Sequence, residues 1–304
     1  MARARMGQME RQRAIQGWLF VSPFVVGFLL FFAGPMLFAA YISLNRWPVL
    51  GDPTFIGLTN FTNMFADDLF WTSLRITTIY TIFSVPLGMI AGLALAMLLN
   101  TKIKALALFR TLYYVPAVIT GVALALLWWM MFNTEYGLIT NALAIIGIPR
   151  IPWLTHTQWA LPALIIMSLW QVGGGMVIYL AGLQGIPSEL YEAATVDGAG
   201  GWSKFRHITI PMLSPVLLFN LVLGIIGSFQ SFTNALIMTN GGPSQSTLFL
   251  VLYIYRNAWQ YNQMGYAAAL SWALFAVILV VVVVVFRVTS ARVYYAGGAR
   301  GGGL

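Results

Sequence analysis

Six stretches of this chain, near residues 17–44, 72–99, 111–132, 159–183, 212–238 and 265–286, run for about twenty residues or more with almost nothing but apolar side chains. The hydrocarbon core of a bilayer is roughly 30 Å thick and takes about 20 apolar residues of helix to cross, so each stretch is predicted to span a membrane. Barrel strands do not fit, because the runs are continuous and do not alternate over about ten residues. Composition supports the same class: 60% of the 304 residues are hydrophobic and only 8% charged, against about a quarter charged in soluble domains.

An even number of spans puts both ends on one side, and basic residues mark the cytoplasmic side. The segments on the side of the termini carry twelve: Arg3, Arg5, Arg11, Arg13, Lys102, Lys104, Arg110, Lys204, Arg206, Arg287, Arg292 and Arg300. The opposite side carries Arg46, Arg75, Arg150 and Arg256. Each side holds four acidic residues, so the nets are +8 and 0, and both termini are expected in the cytoplasm. A basic start followed by an apolar run also describes a cleavable signal peptide, but residues 17–44 exceed the roughly 7 to 15 apolar residues of such a signal and lack a small-residue cleavage site. The sequence predicts an uncleaved first span kinked at Gly34-Pro35.

The expected organisation is a cytoplasmic segment 1–16, one transmembrane bundle 17–288, and a cytoplasmic tail 289–304 whose glycines at 297–304 predict disorder. External loops are expected at 45–71, 133–158 and 239–264, with turn formers such as Gly51-Asp52-Pro53 and Gly241-Gly242-Pro243.

Several chemistries are excluded. Without cysteine there are no disulfides, thiolate catalysis or Cys-based metal sites, and His156 and His207 are too few for a multi-histidine metal or haem site. None of Lys102, Lys104 and Lys204 precedes Ser or Thr, as a Walker-type phosphate loop requires. Excess positive charge suggests nucleic acid in a soluble domain, but here it follows membrane sidedness, so no nucleic-acid partner is expected. Apart from Arg75 near the outer end of the second span, no ionisable Asp, Glu, Lys, Arg or His lies inside a span. That argues against an enzyme and against an ion-coupled secondary transporter, which usually needs a buried ionisable residue. Asp67-Asp68 reads as a solvated turn rather than a cation site.

The segment 184–215 differs in composition from the rest and holds Glu189, Glu192 and Asp197. Pro187 and Ser188 start a helix, and Asp197-Gly198 with Gly200-Gly201 end it, leaving about two turns that carry Leu190, Tyr191, Ala193 and Ala194. So short a helix is marginal alone in water and must pack on something. Helices that lie on lipid favour a Lys/Arg-rich polar face; two glutamates on the cytoplasmic side fit a protein partner better.

Glu192-Ala193-Ala194-Thr195-Val196-Asp197-Gly198-Ala199, followed by Phe205, Ile208-Thr209-Ile210-Pro211 and Pro215, resembles the EAA loop of ATP-binding-cassette importer permeases. The flanking sequence resembles the carbohydrate, maltose-type branch: Phe55-Ile56-Gly57-Leu58-Thr59-Asn60-Phe61, Phe109-Arg110 with Pro116, Leu180-Ala181-Gly182-Leu183-Gln184 with Ile186-Pro187, and Thr239-Asn240-Gly241-Gly242-Pro243. The resemblance extends over roughly residues 19–286. It implies an all-α integral membrane protein with six transmembrane helices in an ABC type I importer permease-like bundle. It further implies a carbohydrate substrate (a sugar, an oligosaccharide, or a related polyol or glycerol phosphate) and residence in the cytoplasmic (inner) membrane of a prokaryote. The implied partners are a second homologous permease subunit, two ABC ATPase subunits and an extracytoplasmic solute-binding protein. The chain itself would hold no cofactor, ATP and Mg being bound by the ATPases. The loop would form the coupling helix that docks on an ATPase: Glu192 meeting a basic group, Ala193 and Ala194 allowing close packing, Asp197 and Gly198 making the turn that follows, and Pro211 closing the loop. The chain departs from some maltose-type subunits in lacking extra amino-terminal spans and a large periplasmic insertion. Competing readings are a secondary transporter and an ABC permease for a non-sugar solute.

For a substrate site, the fifth span offers Ser228, Ser231 and Asn234 at i, i+3, i+6, broadly on one helical face, with small polar groups suited to sugar hydroxyls. The fourth offers Trp170, placed to stack on a sugar ring, and Gln171, followed by Gly173-Gly174-Gly175, where a ligand can approach the backbone. Gly88 and Gly92 read as a helix-packing GxxxG pair.

Overall fold

In the computed structural model, residues 8–49, 51–101 and 104–289 are described; the expectations for the tail 297–304 and for the ends of the chain lie outside them. In chain order the helices and strands are α1 (Gln8–Phe28), α2 (Gly34–Ser43), β1 (Asn45–Arg46), β2 (Thr54–Phe55), α3 (Thr59–Phe65), α4 (Asp68–Leu99), α5 (Leu106–Val118), α6 (Gly121–Met131), α7 (Leu138–Ile145), α8 (Thr157–Ser168), α9 (Gly173–Gln184), α10 (Ser188–Val196), α11 (Gly201–Lys204), α12 (Ile210–Phe229), α13 (Thr233–Met238), α14 (Leu250–Tyr255) and α15 (Met264–Thr289). Among the described residues four helical runs are long and apolar enough to cross a membrane, Arg11–Ser43, Asp68–Leu99, Gly201–Met238 and Met264–Thr289. Two bent pairs bring the count to the expected six if each is one span.

Among the described residues two compact units are formed, one within residues 8–66 and 256–272, the other within residues 67–255 and 273–289, where the sequence suggests a single bundle. In the first unit the predicted kink at Gly34-Pro35 takes a milder form. The π-helical turn Leu29–Ala33 precedes it, Gly34 N donates to Leu29 O, and Pro35 falls in the first turn of α2. A widened turn absorbs the hydrogen bond that proline cannot make. After α2 the strands pair antiparallel, Asn45 opposite Phe55 and Arg46 opposite Thr54. The buried Asn60 amide pins the turn by donating to Ser43 O (2.8 Å) and Asn45 O (3.0 Å).

In the second unit α4, α9 and α12 meet pairwise, each crossing made close by a glycine. A Cβ on Gly92 would stand 3.3 Å from the Tyr179 ring, one on Gly182 2.7 Å from Leu213 Cδ2, and one on Gly224 3.0 Å from Val85 Cγ1. In a bilayer, where lipid is as apolar as leucine, such small-residue contacts drive helix association. Ala96, Leu99, Met176, Tyr179, Leu180, Leu183 and Leu213 form the buried centre of this trio.

The two bent pairs depart from straight spans for local reasons. Between α5 and α6 the chain turns by 98°, because Ile119 and Thr120 adopt extended backbone with ψ of 129° and 148°. Between α8 and α9 a 3-10 turn at Leu169–Gln171 precedes a bend of 45°. Here Gly173 lies so close to α5 that a Cβ would stand 2.2 Å from Tyr113 O. An aromatic chain ties these bends together, Trp170 to Trp128, Phe132, Trp153 and Trp159, with successive ring centroids 5.0–5.8 Å apart.

The stretch expected as an external loop at 239–264 is only partly one. Leu248, Phe249 and Leu250 are buried, the Phe249 ring lies 4.9 Å from that of Tyr80, and Leu250 N donates to Thr77 Oγ1 at 2.9 Å. An apolar run from Leu248 to Tyr255 is too short to span a bilayer, so it folds back onto α4 as α14.

Candidate functional site: a polar cavity and an exposed short helix

A cavity of about 350 Å³ lies among α4, the α8–α9 bend and α12–α13. Its polar lining is hydroxyl and amide only. Tyr80 and Ser84 come from α4, Ser168 and Gln171 from the fourth span, and Asn220, Ser228, Ser231 and Asn234 from the fifth. Some of these groups are already engaged: Ser168 Oγ donates to Ile165 O (2.6 Å) and Asn220 Nδ2 to Val216 O (3.0 Å). Ser228 Oγ is 2.9 Å from Thr81 Oγ1 and 3.0 Å from Ile225 O, so it also bridges α12 to α4. The Tyr80 hydroxyl stands beside Ser168, Ser231 and Ser84. Ser84 Oγ and Asn234 Oδ1 are buried yet meet no partner at hydrogen-bonding geometry. Buried polar atoms without a partner are uncommon and costly.

The structure therefore brings Gln171, Ser228, Ser231 and Asn234 together, though not on one helical face. The helix ends at Phe229 and Phe232 leaves helical geometry (φ −137°, ψ −60°) before α13 begins, so Ser231 sits in the break. Trp170 is a correction: it does not line the cavity but packs edge-on against Trp128 and is 37% exposed. In a 3-10 turn neighbouring side chains point about 120° apart, so with Gln171 aimed at the cavity Trp170 points elsewhere. Gly92 packs as the GxxxG reading expects, but Gly88 opens onto the cavity with nothing within 4 Å of its Cβ position. Tyr80, Ser84, Ser168 and Asn220 were not anticipated. For Ser84 a signal is present in the second span, where Ser73, Thr77, Thr81 and Ser84 recur every three or four residues within an apolar run.

Between the fourth and fifth spans, α10 runs from Ser188 to Val196 with Pro187 before it. It ends in paired closing bonds, Ala199 N to Ala194 O (2.8 Å) and Gly198 N to Thr195 O (3.1 Å), around Gly198 at φ +76°. This is a Schellman turn, whose left-handed position suits glycine. Tyr191 anchors the helix through its hydroxyl, 3.0 Å from Thr209 Oγ1, and Lys204 Nζ donates to Thr195 Oγ1 at 2.7 Å. The outer stripe Glu189, Glu192, Ala193 and Val196 stays exposed, as do Asp197 and Gly198, and Val196 is 89% exposed. Ala194 is half-buried, and Pro211 lies in the first turn of α12, after the π-helical turn Phe205–Thr209.

Residues 84–294 match the family of binding-protein-dependent transport system inner membrane components. The chain belongs to this family. Two relatives of this permease match over nearly its full length: a probable ABC transporter permease protein, YesP, of Bacillus subtilis (strain 168) is 39% identical over 94% of this chain and 96% of its own. The lactose transport system permease protein LacF of Rhizobium radiobacter is 37% identical over 99% and 100%. Among solved structures, that of a bacterial ABC transporter involved in the import of the acidic polysaccharide alginate superposes with a TM-score of 0.78 at 25% identity, covering 92% of this chain and 96% of that one. The permease fold is thus an all-α, membrane-spanning ABC importer fold.

Proposed function

We propose that this permease carries a carbohydrate across the cytoplasmic membrane as one half of a translocation pathway. A second homologous permease would form the other half, two ABC ATPases would bind ATP and Mg, and an extracytoplasmic solute-binding protein would deliver the solute. The cavity carries the reading: three spans converge hydroxyls and amides on a space within the bundle, the chemistry that exchanges hydrogen bonds with sugar hydroxyls. Relatives named for lactose, and for arabinooligosaccharides in Bacillus subtilis, support the same substrate class.

In this proposal α10 is the mechanical input. A Schellman-capped helix held to the bundle through Tyr191–Thr209 transmits a push on its exposed stripe into α12. Closure of the ATPases would drive the helix inward and switch the paired permeases between inward- and outward-open states. Glu192, Ala193, Ala194, Asp197 and Gly198 would face the ATPase, with Pro211 setting the entry of α12.

The test is purification of the intact complex, identification of co-purifying chains by mass spectrometry, and uptake into proteoliposomes. Uptake that needs ATP and the binding protein, and that an ionophore leaves unchanged, is expected; uptake dissipated by the ionophore and free of any ATPase would overturn the proposal. Tags at residue 2 and near Gly198 are expected to be protected in intact cells and one near Gly51 to be reached, as the twelve-to-four charge split requires.

A further inference from the structure

We infer that the cavity admits uncharged sugars and not acidic ones, and that Gly88 and Gly227 set the size it accepts; this rests on the carbohydrate reading above. No charged side chain is among the described residues that line the space. A carboxylate or phosphate entering it from water would give up hydration and find neutral hydroxyls and amides in return, without a cation to offset the loss. A neutral sugar loses only hydrogen bonds, which this lining can replace. The related transporter of known structure imports an acidic polysaccharide, so a shared fold leaves charge preference to be set by the side chains at the cavity.

The glycines of these spans divide by surroundings. Gly92, Gly182 and Gly224 are filled against neighbouring helices, with the nearest atom 3.3 Å or less from a Cβ. Of the four glycines among the described residues that line the cavity, a Cβ on Gly224 would meet Val85 at 3.0 Å and one on Gly175 would meet Tyr179 at 3.7 Å, whereas one on Gly88 of α4 or Gly227 of α12 meets nothing within 4 Å. Packing does not require glycine at these two positions, and glycine is a poor helix former; what a side chain there would occupy is the space of the cavity. One helical turn before Gly88, Ser84 is 92% buried and its hydroxyl stands beside that of Tyr80. An open seat within this polar lining is where a solute ring gains contact.

The experiment uses proteoliposomes holding the complete importer, offered neutral sugars (arabinose, lactose, maltose, trehalose) and anionic ones (digalacturonate, an alginate disaccharide, glycerol phosphate). Uptake confined to the neutral set is expected. Comparable uptake of any anionic member overturns the charge inference. Uptake of none, by a complex that still assembles and hydrolyses ATP, instead sinks the carbohydrate reading beneath it. In the same vesicles Gly88→Leu and Gly227→Leu are expected to cut uptake at least tenfold with complex yield and melting temperature unchanged. Of the Gly173-Gly174-Gly175 run that the sequence offers to a ligand, only Gly175 lines the cavity, so Gly174→Leu adds the same bulk at an open glycine outside the lining and is expected to transport normally. Normal uptake by both the Gly88 and Gly227 variants, or equal loss in all three, overturns the size assignment.

Discussion

The Tyr253 hydroxyl donates to Asp67 Oδ2 at 2.5 Å, across 186 residues of chain, while Oδ1 of the same carboxylate accepts from Leu69 N at 2.9 Å and caps α4. One aspartate thus starts the second span and fastens α14 beside it. The sequence reading of Asp67-Asp68 as a solvated turn is corrected for Asp67. Tyr253→Phe removes one charge-assisted bond and is expected to cost about 1–2 kcal/mol. Asp67→Ala loses that bond and the cap as well, for about 2–4 kcal/mol. Thermal unfolding of the purified protein orders the two; a tyrosine variant as damaging as the aspartate variant would mean that the cap contributes nothing.

The two neighbouring glycines at the α8–α9 bend should respond oppositely. Gly173→Ala drives a methyl to 2.2 Å from Tyr113 O, a backbone atom that cannot swing aside, so a loss of at least about 1–3 kcal/mol is expected. Gly174 has open space at its Cβ position, and Gly174→Ala is expected to be neutral or to stabilise by up to about 1 kcal/mol. Equal melting temperatures for the two variants would contradict the close crossing of α9 over α5.

These cases show which features a sequence reveals. Long apolar runs announce spans because the bilayer imposes one length on all of them, and the end of α10 was legible because Asp197-Gly198 carries its own conformational preference. The 98° turn at Ile119-Thr120 was not, since apolar composition runs straight through it and no glycine or proline occupies either position. Trp170 lies well inside the fourth span, which fixes its depth in a membrane, but its direction depends on a 3-10 turn that α-helical periodicity does not contain. The burial of Phe249 and Leu250 comes from distant partners, Tyr80 and Thr77 on α4, that no local pattern encodes.

Ser228 and Ser231 both line the cavity but differ in their bonds, so their alanine variants should separate. Ser228 Oγ already binds α12 to Thr81 on α4; Ser228→Ala is expected to cost about 0.5–1.5 kcal/mol of stability in addition to any change in transport. Ser231 lies in the helix break beside Tyr80, and Ser231→Ala is expected to weaken uptake of limiting sugar with little change in protein yield. Uptake and melting temperature measured on both variants check this. Full uptake in the Ser231 variant would remove that residue from the binding surface.

The coupling assignment is best tested where folding and docking can be told apart. Gly198 sits at φ +76° and donates its N–H to Thr195 O. Gly198→Pro can satisfy neither demand, since proline holds φ near −65° and has no N–H. It should unmake the end of α10 and uncouple ATP hydrolysis from uptake while the spans still insert. Gly198→Ala keeps the N–H and pays only for the left-handed backbone, about 1–2 kcal/mol, so partial coupling is expected. Glu192 is exposed and no hydrogen bond of the α10 cap uses its side chain; Glu192→Lys therefore leaves the helix standing and reverses only the charge shown to a partner. If α10 docks on an ATPase, the lysine variant should assemble poorly or hydrolyse ATP without uptake, at an unchanged melting temperature of the isolated permease. Full uptake with normal ATPase association in that variant would sever α10 from coupling even if the proline variant fails, because the proline result alone reports folding.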